Sequence, residues 1–298
     1  MTTIAEQDLQ TTIQGWDQGA WGLAALALVA RDDAPAELAG AARKLLSAAG
    51  LTAAPATALP GLGTSTPQQV ASQAAAALHQ ASALASGHGY DWLAQTDEAL
   101  LAQGHASGQG AVPMARFMLP MMGDLADRMA APGARFLDVG TGVGALALAF
   151  AQVFPQLQVL GIDILDRALD LARRAIAASS LGARVTVRKQ DVAVFTDDTE
   201  FDMAWLPAPF IQQPALISGL LRVAAALRPG GWLILGHGKF GGTPVEDALT
   251  RLKTVAHGGT PLDQAAACHL LQNAGLASVR SIPTPSGVPA VTIGQKPA

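Results

Sequence analysis

The stretch RFLDVGTGVGALA, residues 135–147, decides the fold of this chain. Phe136, Leu137 and Val139 predict a buried β-strand, and the glycines after them predict a tight turn that leads directly into a helix. Because a glycine has no Cβ, the backbone of such a turn can approach a ligand closely. The pattern predicts small-molecule binding at the carboxyl end of a parallel sheet.

The glycines by themselves are compatible with two classes of ligand. Gly140, Gly142 and Ala145 satisfy the pattern G-x-G-x-x-G/A of nicotinamide and flavin enzymes. Asp138, two residues before the first glycine, would repel a pyrophosphate, whereas it can accept a hydrogen bond from an amino group or a water. Gly144 gives the tighter form G-x-G-x-G. These two features argue against a dinucleotide.

The segment LDVGTGVG, residues 137–144, resembles the first motif of the class I S-adenosylmethionine-dependent methyltransferases. The resemblance covers roughly residues 112–298 and implies S-adenosylmethionine as the cofactor. It also implies that the glycines line the methionine part of the cofactor, with Asp138 near its ammonium group. The cofactor-binding residues predicted in this loop are Asp138, Gly140, Thr141, Gly142 and Gly144.

Two further strand ends carry acidic residues. Asp163 closes the second predicted strand 23 positions after the first glycine, near the spacing expected for an acid that accepts hydrogen bonds from both ribose hydroxyls. The resemblance implies that Asp191 binds the adenine amino group and the Val192 N–H a ring nitrogen. A helix cap for Asp163 and a turn role for Asp191 are the structural alternatives. Ile164 is predicted to pack against the adenine, and Leu206 to complete the site.

Composition limits the class of protein. The chain has 298 residues, half of them apolar, which is enough for one large α/β domain and a smaller one. A net charge of -4 with only 14% charged residues gives no basic face for nucleic acid. Cys268 is the only cysteine, which excludes an intramolecular disulfide and suits a reducing compartment. The six histidines have no H-x-x-x-H arrangement near acids, so no metal site is predicted.

The beginning of the chain predicts a soluble, cytoplasmic protein. MTTIAEQDLQ carries acids where a signal peptide needs positive charge, and the apolar run at 22–30 is too short to span a bilayer. Residues 1–110 are predicted to form an Ala-rich helical domain that caps the site or pairs two copies into a homodimer, with helices at 15–30, 35–49 and 67–86. Helix packing is expected for its aromatic residues, with a substrate pocket as the alternative for the last two: Trp16, Trp21, Tyr90 and Trp92.

Residues 111–298 are predicted to form the cofactor-binding domain. One helix at 112–129 is expected to lead into the glycine strand. From residue 134 strands and helices alternate, which predicts a doubly wound parallel sheet with helices on both faces. Segments 277–283 and 290–296 predict an antiparallel hairpin. That hairpin resembles the reversed sixth and seventh strands of the methyltransferase family, so an α/β, Rossmann-like sheet of seven strands is expected.

The chemistry is expected beside the fourth strand, which runs into WLPAPF at 205–210. Amino-directed members of the family carry a D/N-P-P-aromatic motif there. Segment 207–210 keeps a proline and an aromatic residue but lacks the Asp or Asn, which puts methylation of nucleobase or glutamine nitrogens in doubt. An apolar proline loop of this kind suits a dry pocket.

No side chain is strictly required for the transfer, because holding a nucleophile in line with the S–CH3 bond can supply much of the rate. If a base exists, His237 is the first candidate, since it follows the fifth strand on the ligand side of the sheet. His105, in a lid-like segment, is the second. A hydrogen-bonded loop histidine is the alternative for His237.

Three hypotheses for function follow. The first is a methyltransferase that acts on an oxygen or nitrogen of a small, mostly apolar metabolite. The second is a nicotinamide-dependent oxidoreductase, which is disfavoured because Tyr90 is the only tyrosine and no lysine lies four residues after it. The third is a cofactor-binding protein with an assembly role and no transfer activity. The glycine loop together with Asp163 and Asp191 favours the first.

Overall fold

The computed structural model describes residues 6–29, 34–49, 67–87, 92–197, 200–284 and 289–298. The chain divides into two compact units, Met1–Ser86 and Gly87–Ala298. The division therefore falls earlier than the predicted boundary at residue 110, because the helix Asp97–Gly108 packs on the helix after the glycine loop. Tyr90 lies outside the described residues.

The first unit is helical, as predicted. Helix α1 begins at Glu6 rather than at residue 15 and buries Ala25 against Leu46 and its neighbours. Trp16 and Trp21 were expected to pack between helices, but both are exposed on α1. The helices of this unit are α1 (Glu6–Val29), α2 (Ala36–Ala48) and α3 (Pro67–Ala85).

The second unit contains the predicted seven-stranded sheet. Its strands are β1 (Arg135–Val139), β2 (Gln158–Asp163), β3 (Val185–Lys189), β4 (Phe201–Pro207), β5 (Leu227–His237), β6 (Ala277–Ile282) and β7 (Ala290–Gln295). The order is β3-β2-β1-β4-β5-β7-β6, with β1 to β5 parallel. Strand β7 lies antiparallel between β5 and β6. Both β6 and β7 were expected to run opposite to the parallel strands, but only β7 does. Because β6 is antiparallel to β7, it runs in the same direction as β5.

The helices of the second unit are α4 (Asp97–Gly108), α5 (Ala111–Pro113), α6 (Leu125–Ala130), α7 (Ala145–Val153), α8 (Asp166–Ala177), α9 (Gln213–Ala226), α10 (Pro244–Ala256) and α11 (Gln264–Asn273). The single helix expected at 112–129 is broken instead. A π-helical turn at 114–118 and a 3-10 turn at 119–121 separate α5 from α6. Pro113 and Pro120 have no N–H to donate, and Gly123 takes a positive φ, so a regular helix cannot continue.

Both faces of the sheet are buried, as expected for parallel strands covered by helices. Successive residues of β1 point to opposite faces, so Phe136 packs with Phe150 on one side. Leu137 packs with Leu216 on the other side. Because β1 to β4 are parallel, the turns that follow them all open at the carboxyl end of the sheet. Among the described residues, no helix combines the length and apolarity needed to cross a bilayer.

Candidate active site

The glycine loop between β1 and α7 has a backbone that only glycine adopts readily. Gly142 has φ +55°, and a Cβ built on it meets nothing within 4 Å, so the loop leaves open space there. Gly144 has φ +76°, and a Cβ there would press on Ala172 of α8 at 3.2 Å. The loop is tied to β2, because the Thr141 N–H donates to the Ile162 carbonyl at 3.0 Å. The loop is therefore a fixed cradle beside an open space.

Asp138 is buried beneath this loop. The Thr141 hydroxyl donates to its Oδ2 at 2.7 Å, and Thr141 lies over Gly161 of β2, where a Cβ would come within 2.6 Å of that hydroxyl. Burial raises the pKa of Asp138 to about 7, against the smaller lowering by the Thr141 hydroxyl. The nearby Asp163 carboxylate raises it further. A cationic group placed here would favour the ionised form.

Asp163 joins the first two loops. Its Oδ2 accepts the Gly142 N–H at 2.8 Å, and its Oδ1 accepts the Leu165 N–H at 2.9 Å. Burial raises the pKa of this carboxyl, while the backbone hydrogen bonds lower it. Each carboxylate oxygen still has acceptor capacity, so two hydroxyls can be bound as well. The helix-cap alternative is incomplete as an account of Asp163, since the residue also holds the glycine loop.

The loop after β3 lies next to Asp163. The Gln190 N–H donates to the Asp163 carbonyl at 2.9 Å. Asp191 is exposed and accepts the Ala193 N–H at 2.8 Å. It therefore has the turn role that was named as the alternative to adenine binding. Asp163 is thus hydrogen-bonded both to the glycine loop and to Gln190, the residue before Asp191.

The two apolar neighbours of these acids are placed differently. Ile164 is 60% exposed, which leaves its side chain open to a flat ligand. The Val192 side chain is buried against Gly219 of α9, so only its backbone can serve a ligand. The roles of both residues in adenine binding stay predictions.

Two expectations for the site need correction. Leu206 is fully buried with Leu137 and Leu235, because alternate residues of β4 point into the core. Its side chain therefore does not reach a ligand. His237 is buried too, with Nδ1 donating to the Gly238 carbonyl and Nε2 bonded to the Thr292 hydroxyl, both at 2.9 Å.

Burial lowers the pKa of His237, so the ring is neutral. With both nitrogens engaged, it offers none to a substrate, and the hydrogen-bonded alternative describes it better than a catalytic base. His105 is exposed on α4, next to Gly104, which packs closely on Val143 of the glycine loop. Its role as a base stays a prediction.

An aromatic cluster lies after β4. Sequence reasoning suggested a substrate pocket for Trp92 and a dry pocket at 205–210, but not that these residues meet His257. Phe210 is 4.9 Å from His257 and 5.6 Å from Trp92, measured between ring centroids, and Trp92 stacks on His257 at 5.6 Å. The Trp92 indole N–H also donates to the His257 carbonyl at 3.2 Å. Burial, helped by Lys253, lowers the pKa of His257 to about 4, so its ring is neutral. The cluster is thus an uncharged aromatic wall.

This wall is fixed next to the glycine loop. Pro207 has its Cγ 3.5 Å from the Cβ position of Gly140. The Thr260 N–H donates to the Ala208 carbonyl at 3.0 Å. A Cβ at Gly259 would overlap Pro209, so only glycine fits this close approach. The Gly-Gly-Thr run at 258–260 was the available sequence signal for this close approach. Nothing in the local sequence, however, indicates that it packs against the loop at 207–210, some fifty positions earlier.

Comparisons with known proteins agree with this geometry. Residues 136–231 match the family model described as a methyltransferase domain. A release factor glutamine methyltransferase of Xylella fastidiosa strain Temecula1 is 37% identical over 147 residues, 41% of this chain and 53% of the relative. That of strain 9a5c is 33% identical over 189 residues, 55% of this chain and 60% of the relative. The chain spans about half to three fifths of the length of these relatives.

Solved structures resemble the whole chain in fold. An O-methyltransferase family protein from Burkholderia thailandensis has a TM-score of 0.62 and 18% identity, covering 100% of this chain and 99% of that one. Human N-acetylserotonin methyltransferase, solved in complex with S-adenosylmethionine, has a TM-score of 0.65 and 15% identity, covering 100% of both chains. At these identities the likeness is one of fold.

Proposed function

We propose that this chain is a class I S-adenosylmethionine-dependent methyltransferase that methylates an oxygen or nitrogen of a small, mostly apolar metabolite. The observation that carries the proposal is the meeting of the loops at 140–144, 163 and 190–191 around the open space at Gly142. The proposal also includes the nature of the methyl acceptor, the roles of individual residues, a homodimer and a cytoplasmic location.

The residues present fit S-adenosylmethionine. Asp163 would hold the ribose hydroxyls, since its oxygens keep acceptor capacity after binding two backbone N–H groups. Asp191 and the Val192 N–H would hold the adenine, with exposed Ile164 against its face. Asp138 supplies a buried carboxylate for the positive end of the cofactor. That carboxylate would repel the negatively charged pyrophosphate of a dinucleotide, which supports the sulfonium cofactor instead.

When bound, S-adenosylmethionine would supply an activated methyl group for transfer to the acceptor. The protein has to position the acceptor and exclude water. Phe210, Trp92 and the neutral His257 provide an apolar aromatic surface for a planar acceptor. Pro207 holds that surface against the glycine loop.

A protein glutamine is the alternative acceptor suggested by the relatives' names. An amide nitrogen needs a polar partner to orient it, and segment 207–210 contains only Pro, Ala, Pro and Phe. Pro207 packs on Gly140 at the position where a polar side chain would be needed. The apolar loop therefore favours a small acceptor over the amide.

Calorimetry and a transfer assay test the proposal. We expect binding of S-adenosylmethionine and S-adenosylhomocysteine but not NAD, and labelled product from a panel of planar phenols and amines but not from a glutamine-containing peptide. Binding of NAD alone would overturn the cofactor assignment. Cofactor binding without any labelled product, even from broad metabolite extracts, would instead support the non-transferring alternative.

The aromatic wall has its own test. Phe210→Ala is expected to lower kcat/KM for the acceptor about tenfold, which corresponds to about 1.4 kcal/mol, and to leave the Kd of the cofactor unchanged. Leu221→Ala, at an exposed position of α9, is the control and should change neither quantity. An equal loss in cofactor affinity would show that Phe210 supports the cofactor loops instead.

A further inference from the structure

Helix α4 packs on the glycine loop through a face that carries two glycines. Leu100, Gly104 and Gly108 follow one another at intervals of four residues, so they lie on one face of the helix. A Cβ at Gly104 would overlap the Cγ2 atom of Val143, and a Cβ at Gly108 would lie 3.1 Å from the Ala145 carbonyl oxygen. A glycine inside a helix costs about 1 kcal/mol relative to alanine, and close packing is the reason for it here. The two glycines therefore set how closely α4 approaches the glycine loop.

The segment just before α4 carries one ring of the aromatic wall. Trp92 lies on the short 3-10 turn that precedes the helix. Its ring contacts Phe210 and His257, and it also packs against the buried cluster that contains Leu100 and Val143. Trp92 thus contacts both the wall and the cluster that includes a residue of the glycine loop.

The glycine loop is held firmly by β2. The Thr141 N–H donates to the Ile162 carbonyl at 3.0 Å, and the Gly142 N–H donates to the Asp163 carboxylate at 2.8 Å. The loop therefore cannot move away from α4 without disturbing its hydrogen bonds to the sheet.

The amino end of α4 is held less firmly. Beyond apolar packing, its contact with α8 is the ion pair between Arg167 Nε and Asp97 Oδ1 at 2.6 Å. Both side chains are more than one third exposed, so the pair contributes little. The carboxyl end of α4 leads into α5, whose Ala111 is fully buried. A group inserted at Gly104 should therefore displace the amino end of the helix, and Trp92 with it.

We propose that α4 is a spacer that sets the position of Trp92 relative to the bound cofactor, with Gly104 as a positioning residue. The proposal rests on the proposed function, because it takes the cofactor to lie at the glycine loop and the acceptor at the aromatic wall. Transfer requires the reacting atoms to align at about 3 to 3.5 Å, and a misplacement of about 1 Å can cost a hundredfold in rate. A change at Gly104 should thus act on transfer far more than on cofactor binding.

Fluorine NMR of the full chain tests the spacer without an acceptor. Labelling with 5-fluorotryptophan gives signals for the five tryptophans, and a Trp92→Phe variant assigns the signal of Trp92. Gly104→Ala is expected to shift that signal. Gly104→Ala/Val143→Ala should move it back toward its natural position, because the second change removes the Cγ2 atom that the new Cβ meets.

Two further variants complete this test. Gly40→Ala, at a helical glycine of α2 whose Cβ would meet nothing within 4 Å, is the control and should leave the Trp92 signal unchanged. Gly108→Ala makes a milder approach to Ala145 and should shift the signal less than Gly104→Ala. It tests the spacer if Gly104→Ala does not fold.

Kinetics separate positioning from a loss of stability. In Gly104→Ala, kcat/KM for the acceptor found in the transfer assay should fall about tenfold, while the Kd of S-adenosylhomocysteine stays within about threefold. The double variant should recover most of the transfer. An unmoved Trp92 signal, or a loss of cofactor affinity as large as the loss of transfer, would overturn the spacer. Absence of S-adenosylhomocysteine binding to the natural protein would contradict the proposed function instead, and the NMR signal would still decide whether Gly104 positions Trp92.

Discussion

Two buried carboxylates at opposite ends of the sheet differ in their partners. Asp202, at the amino end of β4, is 2% exposed and accepts from Arg128 at 2.7 Å, Arg228 at 2.8 Å and the Arg135 N–H at 2.9 Å. Asp138, near the carboxyl end of β1, is 1% exposed. It has no cationic partner in the part of the chain that the structure describes.

The difference separates a structural role from a binding role. A buried charge is tolerated when it is paired and hydrogen-bonded, and Asp202 meets that condition within the fold. Asp138 does not, and burial raises its pKa to about 7. A proton neutralises it in the free protein, and a positively charged ligand such as the proposed cofactor would favour its ionised form. Aspartate thus has a structural role at the amino end of the sheet and is proposed to have a binding role at the carboxyl end.

The largest effect is expected for Asp163→Ala, at the binding end. It removes the acceptor that we propose for two ribose hydroxyls, each hydrogen bond worth about 2 kcal/mol, so the Kd of S-adenosylmethionine should rise on the order of a thousandfold. Titration calorimetry on the folded variant measures it. A change of less than about threefold would show that this carboxylate only holds Gly142 and Leu165.

Asp202→Ala should act on stability instead. It leaves two arginines without their shared partner and is expected to lower the free energy of unfolding by about 3 kcal/mol. Urea denaturation measures the loss. The Kd of the cofactor should stay within about twofold of the natural value, and a larger change would mean that the two ends of the sheet are not separate.

Asp138 should give a pH dependence that Asp202→Ala leaves intact. Its folded pKa of about 7 exceeds the ordinary value of 3.8 for an aspartate carboxyl, so the native state holds a proton that the unfolded chain has lost. Between those two pKa values the group therefore lowers stability by up to about 1.4 kcal/mol for each unit of rising pH. Asp138→Asn should remove this loss, which urea unfolding of the free protein from pH 4 to 8 would detect.

The same carboxyl should also make cofactor binding depend on pH. Both S-adenosylmethionine and S-adenosylhomocysteine carry the ammonium group that we propose lies near Asp138, so ionisation of Asp138 as the pH rises through 7 should increase the affinity for both by about tenfold. In Asp138→Asn that increase should disappear. Flat pH profiles of the two Kd values in the natural protein would argue against a charge interaction at this carboxyl.

The smallest effect is expected for an ion pair on the protein surface. Arg173 and Asp170 lie 2.7 Å apart on α8 and are both at least half exposed. Asp170→Ala should cost no more than about 0.5 kcal/mol of stability and leave cofactor binding unchanged. Thermal melting measures it, and a loss comparable to that of Asp202→Ala would contradict the argument from burial.

The binding end of the sheet was largely predictable from sequence because its signals are local. A strand, a glycine turn and a helix follow one another directly at 135–147, and the acids at Asp163 and Asp191 each come where a strand ends. Parallel strands bring those ends to one edge, so the meeting of the loops followed from the strand pattern. That the side chains of Leu206 and His237 are buried could not be read from sequence, because the direction of a side chain depends on what packs around it.

Sequence by itself determined the seven-stranded sheet and the positions of the loops that we propose bind the cofactor, since both arise from the order of residues along short segments. Only the tertiary structure decided that Trp92, Phe210 and His257 form one wall, because these residues come from segments far apart in the chain. It also decided that α10 turns its apolar face outward, which the hydrogen bonds of its polar face to the loop at 239–242 impose.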